Sequence, residues 1–380
     1  MASTDPLFPP GLRVSVGEFA PDPQTGITQN VEVSSVPAPD PADLSPEDAI
    51  IEIRSAAVSW VDLLMTSGQY QHQPRLPYCP GLEYSGVVCW VGAAVSKKAA
   101  SVGDEVFVDC FSAGPRTSGP YQSFGGYASY AVAPAKALRP IPKGFTFDQA
   151  CNFAGNYETA YHCLIACGEL QAGETILIHG ASGSTGLAAV QIAKLLGATV
   201  IATGRSKEKL KVVEEHGADH IITLSRDAAG DLTPFREEVK ALTGGKGVDV
   251  VYDGVGGDIS TESLRCMRFG ARFLIVGWAS TPNVAQGRGQ RGAPNANTLP
   301  TNRILIKGLK VLGCPTIIAT GVDPSLRIDR LKQLNQWVTQ GHLRPYVSHT
   351  FPLEEASAAM LAKWKGEIIG GCVLHPPLLS

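Results

Sequence analysis

Three things are scarce in this 380-residue sequence, and each scarcity removes a class of protein. Long apolar runs are missing: nothing approaches the roughly 18–20 residues of a membrane span, and the opening MASTDPLFPPGLRVS lacks the basic-then-apolar pattern of a secretory signal. One-sided charge is missing too. Lys and Arg number 32 against 35 Asp and Glu, a net −3, so no global basic field addresses nucleic acid or an anionic membrane. Clustered cysteines are the third absence. The nine cysteines are odd in number and scattered singly, the nearest pair is Cys163 and Cys167, and no Cys-x-x-Cys occurs. Such usage reads as a reduced, cytoplasmic chain without a disulfide framework. No repeat of 20–50 residues is present either.

Apolar material, by contrast, is ample: 44% hydrophobic and 18% charged residues suit a globular chain. Its length exceeds the usual ~100–200 residues of one domain, so two domains are expected. Residues 1–48 are rich in Pro, Asp and Ser and read as partly extended. Short β-like runs follow at Ile50–Ser55, Gly86–Val91 and Glu105–Cys110, which makes the first third an irregular β-rich domain. From about residue 156 the pattern changes. Val/Ile/Leu runs at Thr175–Gly180, Thr199–Gly204, His220–Leu224, Val248–Val255, Arg272–Trp278 and Leu309–Cys314 alternate with helical spacing, as at 185–197, 206–217 and 234–243. Nearly all-apolar strands between helices are the sequence form of an α/β, doubly wound parallel sheet of Rossmann type. Leu331–Gln340 and Leu353–Lys365 then read as helices and Gly371–Leu374 as a last strand.

The strand TILIHG runs into Gly180-Ala-Ser182-Gly183-Ser184-Thr185-Gly186, and a helical pattern begins there. Glycines three apart at a strand-to-helix turn let a pyrophosphate approach backbone N–H groups at the positive end of a helix. Ser182, Gly183, Ser184, Thr185 and Gly186 are therefore candidate cofactor contacts; the plain alternative is a tight turn without ligand. NAD-selective sites place an acid about 20 residues on, at the ribose. Here the second strand ends instead at Gly204, Arg205 and Ser206, with Lys209 nearby, a group suited to a 2′-phosphate and so to NADPH. Lys207, Lys209 and Lys211 can also be read as a solvated helix face.

Further motifs give a family resemblance. They are Val58-Ser-Trp-Val-Asp62, Ser67-Gly-Gln-Tyr70, Pro80-Gly-Leu-Glu-Tyr-Ser-Gly86, Val102-Gly-Asp-Glu-Val106, Asn156-Tyr-Glu-Thr-Ala-Tyr161, Gly247-Val-Asp-Val-Val-Tyr-Asp253 and Leu343-Arg-Pro345. In this order they resemble the zinc-independent quinone oxidoreductase branch of the medium-chain dehydrogenase/reductase superfamily. The resemblance implies a β-rich GroES-like substrate domain, 1–155 with 343–380, and an NADPH-binding Rossmann domain, 156–342. It further implies that Thr159, Val255, Gly277 and Trp278 line the cofactor, that Ser59 and Tyr70 meet the substrate, with Tyr70 the candidate catalytic residue, and that the protein is a homodimer. Three positions depart from the family: Ser59 for Asn, Leu224 for an adenine-covering aromatic, and Gly371 for Lys.

Where zinc-dependent relatives carry Gly-His-Glu, this chain has Gly81-Leu82-Glu83. No metal site is expected. Catalysis without a Lewis acid suits small, easily reduced acceptors, quinones or α,β-unsaturated carbonyls (enones), rather than alcohol oxidation. The stretch 281–303 holds three Arg and no acid. Arg288 and Arg291 are candidate substrate contacts if the acceptor is a 2-enoyl thioester such as an enoyl-CoA; otherwise the stretch is a solvated insertion. A non-catalytic NADPH-binding protein is the competing class. Apolar strands at Arg272–Trp278 and Leu309–Cys314 would form the sheet end through which a homodimer pairs.

Overall fold

The computed structural model describes residues 7–280 and 297–379. The chain is mixed α/β and forms two compact units. One comprises the described residues 7–154 and 347–379, the other 155–280 and 297–346. The strands in chain order are β1 (Gly11–Val16), β2 (Val31–Val36), β3 (Asp48–Ala57), β4 (Tyr84–Val91), β5 (Glu105–Val108), β6 (Tyr130–Pro134), β7 (Leu138–Pro140), β8 (Thr175–Ile178), β9 (Thr199–Gly204), β10 (His220–Thr223), β11 (Val248–Asp253), β12 (Met267–Ile275), β13 (Lys310–Gly313), β14 (Val347–Pro352) and β15 (Gly371–His375).

The first unit is the β-rich, GroES-like one. Its seven-stranded sheet runs β14-β15-β3-β4-β5-β7, with β6 also on β3. β3 is its axis, buried along most of its ten residues and antiparallel to β4, β6 and β15. Ile51, Ile53, Val88, Ala131, Met360 and Leu374 share its core. The opening segment is more regular than its composition suggests. β1 and β2 pair antiparallel from Gly11↔Val36 to Val16↔Val31. Between them a helix, Pro23–Gln29, starts where Asp22 accepts from Thr25 N and Pro23 fills the first turn, whose N–H would have no partner.

The second unit is the Rossmann-type one. Its six strands are all parallel, in the order β10-β9-β8-β11-β12-β13. Numbered by chain order within the sheet, the first strand, β8, sits beside the fourth, β11. The winding direction reverses between them. Leu177, Ile201, Val251 and Phe273 fill the core. The helix Ser184–Leu195 buries Leu187, Ala188, Ala189, Val190, Ile192 and Ala193, whose mostly small side chains let it lie close to its neighbours. β12 begins and ends earlier than the run Arg272–Trp278. Past its end the Asp253 carbonyl of β11 still accepts from Val276 N at 2.9 Å and from Gly277 N at 3.2 Å, and the pairing stops there. β13 is the sheet edge, and near it Phe269, Leu305 and Ile306 are 78, 81 and 74% exposed. All nine cysteines are free thiols. Among the described residues no helix is long and apolar enough to cross a membrane.

Candidate functional site

The candidate cofactor residues of the second unit gather at the carboxyl ends of the parallel strands, beside the β8/β11 reversal. After β8 the chain turns through Gly180, at φ 64°, where a side chain would be strained. A Cβ on Gly186 would meet the Gly180 carbonyl oxygen at 2.3 Å and Ala181 Cα at 2.8 Å. That close approach seats the start of the following helix directly on the turn. Gly183, its N-cap, is exposed and extended, and no side chain caps this helix. Its first-turn N–H groups and the helix dipole are thus a candidate site for an anion. Ser182, Ser184 and Thr185 are partly exposed around it, and Thr185 Oγ1 donates to Asn156 Oδ1 at 2.9 Å.

β9 ends at Gly204, followed by exposed Arg205. Ser206 caps the next helix, accepting from Lys209 N at 3.2 Å, and its hydroxyl donates to Glu208 at 2.8 Å. Glu208 brings one carboxylate into this first turn, which the absence of an acid at the strand end did not anticipate. After β11, Asp253 Oδ1 accepts from Val255 N (2.8 Å) and Gly256 N (3.0 Å), while its Oδ2 takes the Ser260 hydroxyl. These bonds shape the loop carrying Val255, whose Cγ2 would lie 3.3 Å from a Cβ on Gly180. Gly277 and the 42%-exposed Trp278 follow β12. A Cβ on Gly256 would touch Trp278 at 3.3 Å, so the two loops are neighbours. Thr159 is half-buried on the helix Ala154–Tyr161. On that helix Glu158 is held by Arg327 and buried Arg330, the latter at 2.9 Å.

Sequence reasoning passed over His179, the residue before Gly180. It is buried, 2.7 Å from Thr203 Oγ1 and 2.6 Å from Ser263 Oγ, and burial pushes its pKa down, which favours the neutral ring. It pins β8, β9 and the helix Asp258–Cys266 together beneath the loops. Its signal in the sequence was a lone polar residue closing an apolar strand.

Ser59 and Tyr70 belong to the first unit. Ser59 is an N-cap: its hydroxyl donates to Asp62 Oδ2 at 2.6 Å and accepts from Asp62 N at 3.2 Å. Asp62 Oδ1 also accepts from Gly81 N and Leu82 N, at 3.0 and 3.2 Å, which fixes the Gly81-Leu82-Glu83 segment. Burial raises the Asp62 pKa against these bonds. Tyr70 is half-buried against Val16, Met65, Tyr78 and Leu82. Arg288 and Arg291 lie outside the described residues. Among the described residues no group of three or more His, Cys, Asp or Glu side chains is arranged to hold a metal.

A protein of Nematostella vectensis named quinone oxidoreductase-like protein 2 homolog is 32% identical over 311 residues, covering 81% of this chain and 76% of the relative. The chain belongs to the quinone oxidoreductase branch of the medium-chain dehydrogenase/reductase superfamily. Two family models agree with that membership: alcohol dehydrogenase GroES-like domain at residues 45–143 and zinc-binding dehydrogenase at 184–316. Human quinone oxidoreductase is 29% identical over 326 residues, 86% of this chain and 87% of that protein. Among solved structures of this superfamily, a mycobacterial protein complexed with NADPH superposes at TM-score 0.74 with 25% identity, covering 96% of this chain and all of that one. Escherichia coli quinone oxidoreductase complexed with NADPH shares the fold, at TM-score 0.73 and 24% identity, over 96% of this chain and all of that one.

Proposed function

We propose that the protein is an NADPH-dependent reductase that transfers hydride to a quinone or α,β-unsaturated carbonyl acceptor without zinc. The observation that carries this reading is the pairing of an uncapped helix start after β8 with exposed Arg205 at the end of β9. A dinucleotide fits there chemically. The Ser182–Gly186 backbone would hold the pyrophosphate, Arg205 and Lys209 the 2′-phosphate, and Thr159, Val255, Gly277 and Trp278 would border the nicotinamide. The bound cofactor supplies two electrons as hydride. The chain's own contribution is alignment and electrostatics, with Tyr70 as the candidate group that meets the acceptor. Leu82 in the Gly-x-Glu segment supports a metal-free reaction, since its side chain has no ligand atom.

The test is acceptor-dependent NADPH oxidation by purified protein with 9,10-phenanthrenequinone and with a simple enone, with and without a zinc chelator. Turnover of at least one acceptor, unchanged by chelator, is expected. NADPH binding without turnover of either would make this a non-catalytic binding protein. Activity lost to chelator and restored by zinc would overturn the metal-free reading.

A further inference from the structure

The second unit carries a pocket of about 330 Å³, a volume within the range of small-molecule sites, away from the nucleotide turn. Leu196, in its lining, closes the helix that starts at Gly183, and Gly173 N donates to Gly197 O at 2.9 Å, so the loop before β8 meets that far end. The pocket therefore lies at the amino ends of the parallel strands, opposite the end where the candidate cofactor residues gather.

Two aromatic side chains form its corner. The rings of Tyr161 and Trp337 are tilted by 45° with centroids 5.9 Å apart, and both are only partly buried. Ile165 and Leu196 add apolar wall, and Gln333, one turn before Trp337 on the helix Leu326–Thr339, adds a polar edge. Aromatic faces carry the negative side of a quadrupole and attract cations.

The backbone brings a carboxylate to the same pocket. The helix Ala154–Tyr161 winds on as a π-helical turn, His162–Cys167, a rare geometry that recurs at functional sites. Gly168 follows, where a Cβ would meet the Cys163 carbonyl oxygen at 2.8 Å and Leu274 Cδ1 at 2.9 Å. The left-handed step after the helix, usually a glycine, then falls on Glu169 at φ 47°. Among the described residues no other side-chain-bearing residue has a positive φ. Three hydrogen bonds hold its backbone there: its N–H donates to Ile165 O at 3.3 Å, and its carbonyl accepts from Gln171 Nε2 at 2.9 Å and Arg272 Nη1 at 3.1 Å. The Glu169 carboxylate is exposed and has no hydrogen bond or ion pair among the described residues. It is the one charged side chain in the described lining. Cations near by are committed elsewhere, Arg272 to Glu174 and buried Arg330 to Glu158 and Thr320. Asp329 and Arg330 act on Tyr161 with opposite signs.

We propose that this pocket is a second small-molecule site that takes an organic ammonium ion, its apolar body in the Tyr161–Trp337 corner and its charge toward Glu169. The site is independent of the reductase reading. A mere helix stop at Glu169 would account for the turn but would give the pocket no preference for a cation.

Calorimetric titration of the full chain with benzyltrimethylammonium chloride tests this, with benzyl alcohol and benzoate as neutral and anionic counterparts. The wild type should bind the ammonium ion with a Kd of about 1 mM or tighter, as a fragment of this size permits. Benzyl alcohol and benzoate should bind about tenfold more weakly or less, and saturating NADPH should leave the ammonium titration unchanged. Glu169→Gln, a change at an exposed side chain, should weaken the ammonium ion about three- to fivefold and leave benzyl alcohol alone. Trp337→Leu, checked for native circular dichroism, should weaken both. No heat of binding at about 10 mM probe, equal binding of benzoate, an ammonium titration indifferent to Glu169→Gln, or displacement of the probe by NADPH would each overturn the assignment.

Discussion

The carbonyl oxygen of Gly180 lies 2.3 Å from where a Cβ of Gly186 would stand, whereas a Cβ on Gly183 would meet the same oxygen at 3.4 Å, an ordinary contact. The two glycines therefore have separable tasks. Gly186→Ala must push helix from turn and should cost about 1–3 kcal/mol of stability, along with NADPH binding. Gly183→Ala, at an extended φ of −79°, should melt like wild type yet bind NADPH weakly, because beyond that one ordinary contact the new methyl would meet only a ligand. Thermal melts and cofactor titrations of both variants check this, and equal melting temperatures for the two would contradict it.

Arg205→Ala should weaken NADPH at least tenfold, about 1.4 kcal/mol, and leave NADH nearly unchanged. Glu208, joined to Ser206, sets the opposite sign nearby, so Glu208→Gln should tighten NADPH modestly. Parallel titrations with both nucleotides are the measurement. Equal loss for both on removing Arg205 would rule out a 2′-phosphate contact.

Phe269, Leu305 and Ile306 stand exposed near the β13 edge, the kind of apolar surface and strand edge that soluble proteins cover. A homodimer pairing there is expected, with a light-scattering mass near two chains. Phe269→Glu should lower that mass toward one chain at micromolar concentration. A single-chain mass for the wild type would remove the basis for the pairing.

His375 Nε2 lies 2.7 Å from Asp148 Oδ1. That bond raises the His375 pKa above 6.5, so its stabilisation is full below pH 6.5 and fades as pH rises through the raised value. Burial works to raise the Asp148 pKa, but hydrogen bonds from His375 and Ser55 outweigh it, and the net shift is below 3.8. Its contribution is therefore present above pH 3.8 and fades as pH falls through the lowered value. Both act together between about pH 4 and 6.5. The pair is partly exposed, so His375→Ala should cost no more than about 1 kcal/mol, and only in that window. Denaturant melts at pH 5.5 and pH 9 would expose a loss that ignores pH.

The Rossmann-type sheet was legible because strands buried on both faces become continuous Val/Ile/Leu runs, and Gly180 to Gly186 mark a turn where backbone must come close. The opening 48 residues were less legible. Their prolines and aspartates read as irregular, yet Asp22 and Pro23 start a helix and β1 finds β2 across it. Local chemistry also hid two roles: Ser59 and Ser206 are both helix caps, committed to backbone N–H groups before any ligand is considered.

β15, contributed by residues 371–375, lies between β14 and β3 in the first sheet, so the earliest long strand of the chain waits for one of the last. On a ribosome, every strand of the parallel sheet emerges before β15 does, and that unit can close while the other still lacks the partner of Ala56 and Ala57 at the end of β3. Completion thus runs against the order of beginning: the unit that begins first is completed last, after the nucleotide-type unit has all its strands.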